Sequence, residues 1–572
     1  MKKLKNNIIC LTLVGVFTAC SGDFLERVPQ GELITAQLEN PEGVEATLVG
    51  AYALLNGNVN GTWGNYASAP SQWLFGEVAA DNAHKGSNNG DQPNMNQIES
   101  HQAISTNDNL AVMWSRYYEG IARCNNTLRL LNAVQAGSGE RLSDSRATEI
   151  TAEARMLRAH YYFFLKRVFR NVPYVDENTA TADAVTIPNN TDVYPQIEAD
   201  LRFAVDNLPP DKPLGEIGRV DRIAAQAYLG KVLLYLGRHS EALPLFEAVM
   251  DARPDITTLP FTDNFDVTRE NGPESIFAVQ HAINPDGSGD NANVGDMLGG
   301  FYGNAPVNCC GFFQPTFDLV NAFRVNAAGL PMLDGSYRTN AYTSDFGLTG
   351  NAKTNYAVDR TIAFDPRLDY TVGRRGVPFR DWGIMPGDSW IRDPAYAGPF
   401  VGAKHMIEQS QFSTHAVQGT LQITGLNVNL IRLADVYLMA AECQVEAGNL
   451  GEALALVNAI RERAAQLPGK QVNGAPAAAY NVQPYPSFPN ADYARDAIRF
   501  ERRLELALEG HRFFDLVRWG IAKEVLESYS AFEGQLLSAY RGLVFQPRNE
   551  YFPIPQEQID RSQGALVQHD EY

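Results

Sequence analysis

Tyr228-Leu229-Gly230 followed by Gly237-Arg238-His239-Ser240-Glu241-Ala242-Leu243 forms one half of the pattern that decides the fold. Ala440-Ala441 followed by Gly448-Asn449-Leu450-Gly451-Glu452-Ala453-Leu454 forms the other. In each, a small residue stands seven positions before a turn glycine, and an Ala-Leu pair stands five and six positions after it. That spacing predicts two tight helical hairpins, with Gly230 facing Ala242 in one and Ala441 facing Ala453 in the other. Both resemble tetratricopeptide units, and the 211 residues between Gly237 and Gly448 make the array an interrupted one. Helices of this kind build a scaffold or dock a protein; alone, they specify no chemistry.

Outward from the hairpins, apolar residues at three- and four-residue intervals predict helices over 44–55, 109–133, 150–169, 193–207, 222–236 and 240–252. The same pattern returns over 430–446, 450–464, 496–508 and 510–519. Between about 255 and 425 the sequence reads as loops with short strands. The expected fold is mostly α, a hairpin scaffold with an irregular, loop-rich lobe. A chain of 572 residues exceeds the usual single-domain size, yet no low-complexity linker divides it. The expected division is a signal over 1–19, a first region over 20–330 and a second over 331–572, the two regions packed as one body.

The chain opens with Lys2, Lys3 and Lys5, an apolar run from Ile8 to Phe17, and the small residues Thr18-Ala19 before Cys20. The run is too short to span a bilayer and suits an export signal. It is similar to a bacterial lipoprotein signal, which makes Cys20 the lipid attachment site; the alternative is an ordinary signal with a chance cysteine. The chain carries 47 basic and 66 acidic residues, net −19, and loss of the three lysines brings the mature chain to −22. Nucleic acid and anionic lipid are therefore poor partners. Beyond Cys10 and Cys20 the cysteines are Cys124, Cys309, Cys310 and Cys443, too sparse for a disulfide framework and without metal-ligand spacing. Cys443 is expected in a helix core. Cys309-Cys310, in a Gly/Asn/Pro loop, is open to a structural or a ligand-facing role.

Five blocks in order carry a resemblance over essentially the whole chain. They are Cys20-Ser21-Gly22-Asp23-Phe24-Leu25-Glu26; Glu153-Ala154-Arg155-Met156-Leu157-Arg158-Ala159-His160-Tyr161-Tyr162; Gln314-Pro315-Thr316-Phe317-Asp318 through Phe323; 499–520; and Tyr551-Phe552-Pro553-Ile554-Pro555. The chain resembles the SusD/RagB family of surface nutrient-binding lipoproteins of Bacteroidota. The resemblance implies a non-enzymatic lid over a SusC-like TonB-dependent outer-membrane transporter. Such a lid is anchored by lipid, faces the exterior and captures oligosaccharide for delivery. Some relatives serve peptide uptake, and a purely structural lid is a third reading. No cofactor is implied.

A pyranose ring has an apolar C–H face and a fringe of hydroxyls, so a sugar site needs an aromatic platform edged by polar side chains. The polar, aromatic segment from Gly61 to Gly86 contains Trp63, Tyr66, Asp81 and His84, and the resemblance makes these candidates. Trp73 and Phe75 read as core. Trp63 reads equally well as core or platform, and Asp81 equally well as a turn cap or a partner of Lys85. The middle loops add Tyr302, Trp390 and Tyr396 as platforms, Arg380 and Arg392 as hydroxyl donors, and Cys309 beside them. Arg380-Asp381 and Arg392-Asp393 read alternatively as structural salt bridges.

The acids and arginines between Arg499 and Glu509 stand at spacings that permit ion pairs. With His511, Arg512 and Asp515 they read as architecture. The oxygen-rich stretch from Asn284 to Asp296 reads as a solvated loop, with calcium as the alternative. Motifs for a nucleophile elbow, a zinc protease or a phosphate-cradling loop are missing from the sequence. Hydrolysis by a carboxylate pair would require a defined separation that sequence does not give.

Overall fold

The computed structural model describes residues 35–57, 65–303, 305, 307, 309–417 and 423–572. The principal helices are α1 (Pro41–Ala53), α2 (Pro93–Glu99), α3 (Asp108–Ala136), α4 (Asp144–Phe169), α5 (Tyr194–Asn207), α6 (Arg222–Tyr235) and α7 (His239–Asp251). The later ones are α8 (Leu433–Glu446), α9 (Leu450–Ala465), α10 (Ala491–Leu506), α11 (Arg512–Arg518) and α12 (Ala522–Leu536). Several start where a polar side chain takes up a free backbone N–H of the first turn. Ser143 accepts from Arg146, Asp221 from Ala224 and Asn490 from Tyr493.

The predicted hairpins are α6–α7 and α8–α9. Their turn glycines, Gly237 and Gly448, have φ of 69° and 82°, the left-handed region that a Cβ disfavours. Gly230 is demanded by the ring of Phe246, one turn beyond Ala242; an added methyl would stand 2.5 Å from Cε1. The array that is interrupted in sequence is continuous in space, because α8 lies directly against α7. Helices α3 to α7 also stack each on the next, with α1 on α3. Arg158 ties three of these layers. From α4 it donates to Asp200 of α5 at 2.7 and 2.9 Å, and to Asn125 of α3 at 2.8 Å.

One expected helix start is a strand, and α2 as well as α12 lies outside the expected helices. Residues 430–432 belong to a strand, β4 (Val428–Arg432), which pairs antiparallel with β2 (Ser275–Val279). Helix α12 was not foreseen at all. The remaining ladder that matters here pairs β1 (Ala83–Gly86) with β3 (Phe312–Pro315), antiparallel, with His84 opposite Gln314. Trp73 and Phe75 are buried in the main core, as is Cys443. The loop-rich lobe has its own smaller core, built from Phe301, Phe379, Trp382, Met385, Trp390 and their neighbours.

Helix α10 binds this lobe to the scaffold, and not by ion pairs within itself. Its exposed first turns pair internally, Arg495 with Asp492 and Arg499 with Asp496, but on the buried face Glu505 stands four residues on from Glu501, so the opposite charges there come from other elements. Glu501 takes Arg367 at 2.6 Å and Arg461 at 2.8 Å. Glu505 takes Arg367 at 2.9 Å, Arg432 at 2.7 Å, and Arg463. Arg502 reaches Asp435 at 2.8 Å and Asp515 at 3.0 Å. All of these groups are buried, and buried charge persists only where it is paired.

Candidate functional site

Strand β1 carries the first group of sequence candidates, and its root is structural. Asp81 is fully buried, with Arg512 Nε at 2.7 Å and Arg503 Nη2 at 3.1 Å. The two guanidinium groups outweigh the effect of burial and hold its carboxyl well below the usual range. His84 is likewise fully buried, between Glu99 (3.2 Å) and Glu533 (2.8 Å), and its ring lies 4.0 Å from that of Tyr540. Burial alone would lower its pKa, but hydrogen bonds to Glu533 and Glu99 raise it to about 9. Glu533 also accepts from the backbone N–H groups of Phe317 and Asp318. Asp81 and His84 are thus both committed to charged partners within the protein.

Two of the middle-loop candidates also make structural contacts. Trp390 is 7% exposed, its ring 4.4 Å from Phe301 and 6.3 Å from Phe379. The turn Asp388–Trp390 directs it into the lobe's apolar core. Arg380 donates to the carbonyl of Ala403 at 2.8 and 3.0 Å and pairs with Glu408 at 3.1 Å, so its guanidinium is committed to holding the loop. Trp63 lies outside the described residues, as does Cys20.

The other candidates come together. Tyr302 is half-exposed and held by its own N–H on the Trp390 carbonyl at 2.9 Å. The guanidinium of Arg392 lies over its ring, 4.9 Å from the centroid. Arg392 in turn donates to Ser87 Oγ at 2.8 Å and pairs with Asp91, and Ser87 donates to Asp91 at 2.9 Å. Tyr396, also half-exposed, donates its hydroxyl to Asn96 at 3.0 Å. Asp393 fixes the turn that carries Tyr396, accepting from its N–H at 3.2 Å. Lys85 sits 5.1 Å from the Tyr396 ring and donates to the carbonyls of Asn88 and Asp91, closing the 87–91 loop. Tyr66 is half-buried near this loop; burial and then the Asp91 charge raise its phenol pKa. Cys309 and Cys310 are half-exposed, bonded to each other, and followed by Gly311, which abuts both Tyr302 and Arg392.

Loops far apart in sequence therefore present two tyrosine rings with carboxylate, hydroxyl, amide and guanidinium groups around them. Ser87, Asp91 and Asn96 were not singled out by the sequence. The signal was present in Ser87-Asn88-Asn89-Gly90-Asp91, a polar turn run directly after β1. The Asn284 to Asp296 loop bonds mainly to itself and to Ser71. Among the described residues no three His, Cys, Asp or Glu side chains are grouped to hold a metal.

A stack of helical hairpins presenting such a patch from an attached loop lobe defines a ligand-binding scaffold protein. Comparison with known proteins fixes the family. A model described as the SusD family matches residues 273–572, and one described as starch-binding associating with outer membrane matches residues 23–234. The chain belongs to the SusD family. It is similar to a SusD-like protein of Bacteroides ovatus, 24% identical over 530 residues that cover 90% of this chain and 82% of that protein. Among solved structures it is similar to a laminarin binding SusD-like protein, 25% identical with a TM-score of 0.64, covering 93% of this chain and 100% of that one. A SusD homolog from Bacteroides thetaiotaomicron, 21% identical, shares the fold with a TM-score of 0.69 over 94% of this chain and 99% of the other. Among the described residues, no helix is long and apolar enough to cross a membrane.

Proposed function

We propose that this protein captures oligosaccharide at the outer-membrane surface without turning it over. It passes the ligand to a SusC-like TonB-dependent transporter that it covers as a lid. The observation that carries this reading is the convergence of Tyr302, Arg392 and Asp91 with Tyr396 and Asn96 on one accessible patch, braced from beneath by the buried Ser87 hydroxyl. Aromatic faces edged by donors and acceptors suit a sugar ring. Family membership supports capture and a transporter partner, and the similarity to a laminarin-binding relative supports glycan as the ligand class. Attachment of lipid at Cys20 supplies the tether in this reading.

Calorimetry of the mature protein against laminarin, amylopectin, xylan, galactomannan, pectin and a peptide mixture tests the ligand class. Binding to at least one glycan, with no release of shorter products, is the expected result. Peptide binding with no glycan binding would replace glycan by peptide in this scheme. Mass spectrometry of the native protein's N-terminus tests the tether, and Cys20→Ala should release the protein from the membrane fraction.

A further inference from the structure

We propose that the bonded pair Cys309–Cys310 is the apolar floor of this patch, and that its oxidation state sets the patch's affinity for sugar. The inference rests on the capture function proposed above. Cys309 and Cys310 are joined to each other and half-exposed, whereas Cys124 and Cys443, the other described cysteines, are free and buried. A disulfide stabilises mainly by closing a long loop in the unfolded chain, and a bond between neighbours closes essentially none. Stability therefore does not explain this bond.

Its position does. Gly311, the next residue, is so enclosed that an added Cβ would stand 3.1 Å from Tyr302 Cβ and 3.5 Å from Arg392 Cβ. The Gly311 carbonyl accepts from the backbone N–H of Ser87 at 2.5 Å. Gly311, bonded to Cys310, thus abuts the residues that carry the platform ring and the guanidinium and holds the Ser87 backbone, which places the pair beside the patch.

The bond holds the two neighbouring sulfurs together. Held together, they form a rigid, polarisable, apolar surface of the kind a sugar's C–H face covers. Export places the pair where disulfides persist. A dithiol reductant delivers two electrons and two protons, breaks the S–S bond to leave two thiols, and itself closes to a disulfide. The sulfurs are then free to rotate apart, and the floor divides.

The test uses mature protein in three forms: oxidised, reduced with dithiothreitol, and a Cys309→Ser/Cys310→Ser double variant. The probe is the polysaccharide of the calorimetry panel that the oxidised form binds most tightly. Alkylation and mass spectrometry report the state of both cysteines. Expected is a bonded pair in native protein, an unchanged melting temperature in all three forms, and affinity roughly fivefold or more weaker in the second and third, the lower end of what one stacking surface contributes. Equal affinity in the three forms overturns the inference and leaves glycan capture standing. Free thiols in native protein, or weaker binding accompanied by a lower melting temperature, also overturn it. Failure of the oxidised form to bind any glycan overturns both readings.

Discussion

Replacing Glu505 by Gln should destabilise the protein by about 3–5 kcal/mol, the range for breaking a buried ion pair from one side. The glutamate is fully buried and receives Arg367 at 2.9 Å, Arg432 at 2.7 Å, and Arg463. The cluster around it is balanced: Arg367, Arg432, Arg461, Arg463 and Lys404 face Asp365, Glu274, Glu501, Glu505 and Glu509. Each pair, with charge centres near 4 Å, gains about 4 kcal/mol at an effective dielectric of 20, most of it offset by the loss of hydration. Glutamine keeps the shape and one acceptor but turns an NH2 group toward a guanidinium. It leaves a net positive charge that no water can reach. The neighbouring cations hold the Glu505 carboxyl far below its ordinary pKa despite burial, so the wild-type group is ionised at neutral pH. Equilibrium urea unfolding of wild type, Glu505→Gln and the exposed-site control Glu524→Gln measures the effect, with the control expected within about 0.5 kcal/mol. A Glu505→Gln shift below about 1 kcal/mol would refute the view that α10 holds the lobe by charge balance.

Other outcomes follow from single contacts. His84 has its pKa raised from 6.5 to about 9, so the stability it lends is complete below about pH 6.5 and disappears as pH rises through about 9. The full swing is about 3 kcal/mol, and unfolding at pH 6 and pH 9.5 should show a loss in wild type that His84→Gln lacks. Gly76→Ala should cost more than about 3 kcal/mol, through backbone overlap of the kind that produces the largest single-site losses. Its Cβ would stand 2.1 Å from the carbonyl oxygen of Gly510, whose own added Cβ would stand 2.0 Å from that of Ser71; thermal melting reads the loss. Tyr302→Ala should weaken glycan binding by about 1–3 kcal/mol, on the scale of one stacking contact, at unchanged melting temperature. Trp390→Ala should instead cost about 3–5 kcal/mol of stability, as for a buried aromatic, and leave the affinity of the folded fraction unchanged.

The helical scaffold was legible because its signal is local. Turn glycines, small residues at fixed offsets and three-to-four spacing sit within a few tens of residues, and the observed helices fall within a few residues of those expected. Where local patterns were ambiguous, tertiary partners decided. Leu430-Ile431-Arg432 continues the apolar run of α8 and reads as its first turn, but pairing with β2 makes it part of a strand. In α12 the spacing of Val525, Leu526, Tyr529 and Phe532 is helical, while Ser528, Ser530 and Gly534 dilute it. That the two helical ends pack together was expected, but that α7 meets α8 was not legible, because no pattern spans the intervening loops.

For the site, residue type was informative and accessibility was not. Asp81, His84, Arg380 and Trp390 are the polar and aromatic types a sugar site uses, yet the same types hold a loop at its root. Asp81 and His84 lie at the base of the segment that ends in Ser87 to Asp91, and they fix that base to α10, α11, α2 and α12 through Arg503, Arg512, Glu99 and Glu533. Arg380 and Trp390 do the same for the loops that end in Arg392 and Tyr396. Root and tip are adjacent in sequence and differ in burial from Asn88 onward, and only the folded chain separates them. Rigid roots are also what a weak-binding surface requires, since a platform that must be ordered on contact loses affinity to that ordering. Substitutions at the roots should therefore reduce binding only in proportion to the protein they unfold, whereas substitutions at the tips should reduce it in protein that remains folded. A binding survey of this patch separates the two classes only when each variant's unfolding is measured beside its affinity.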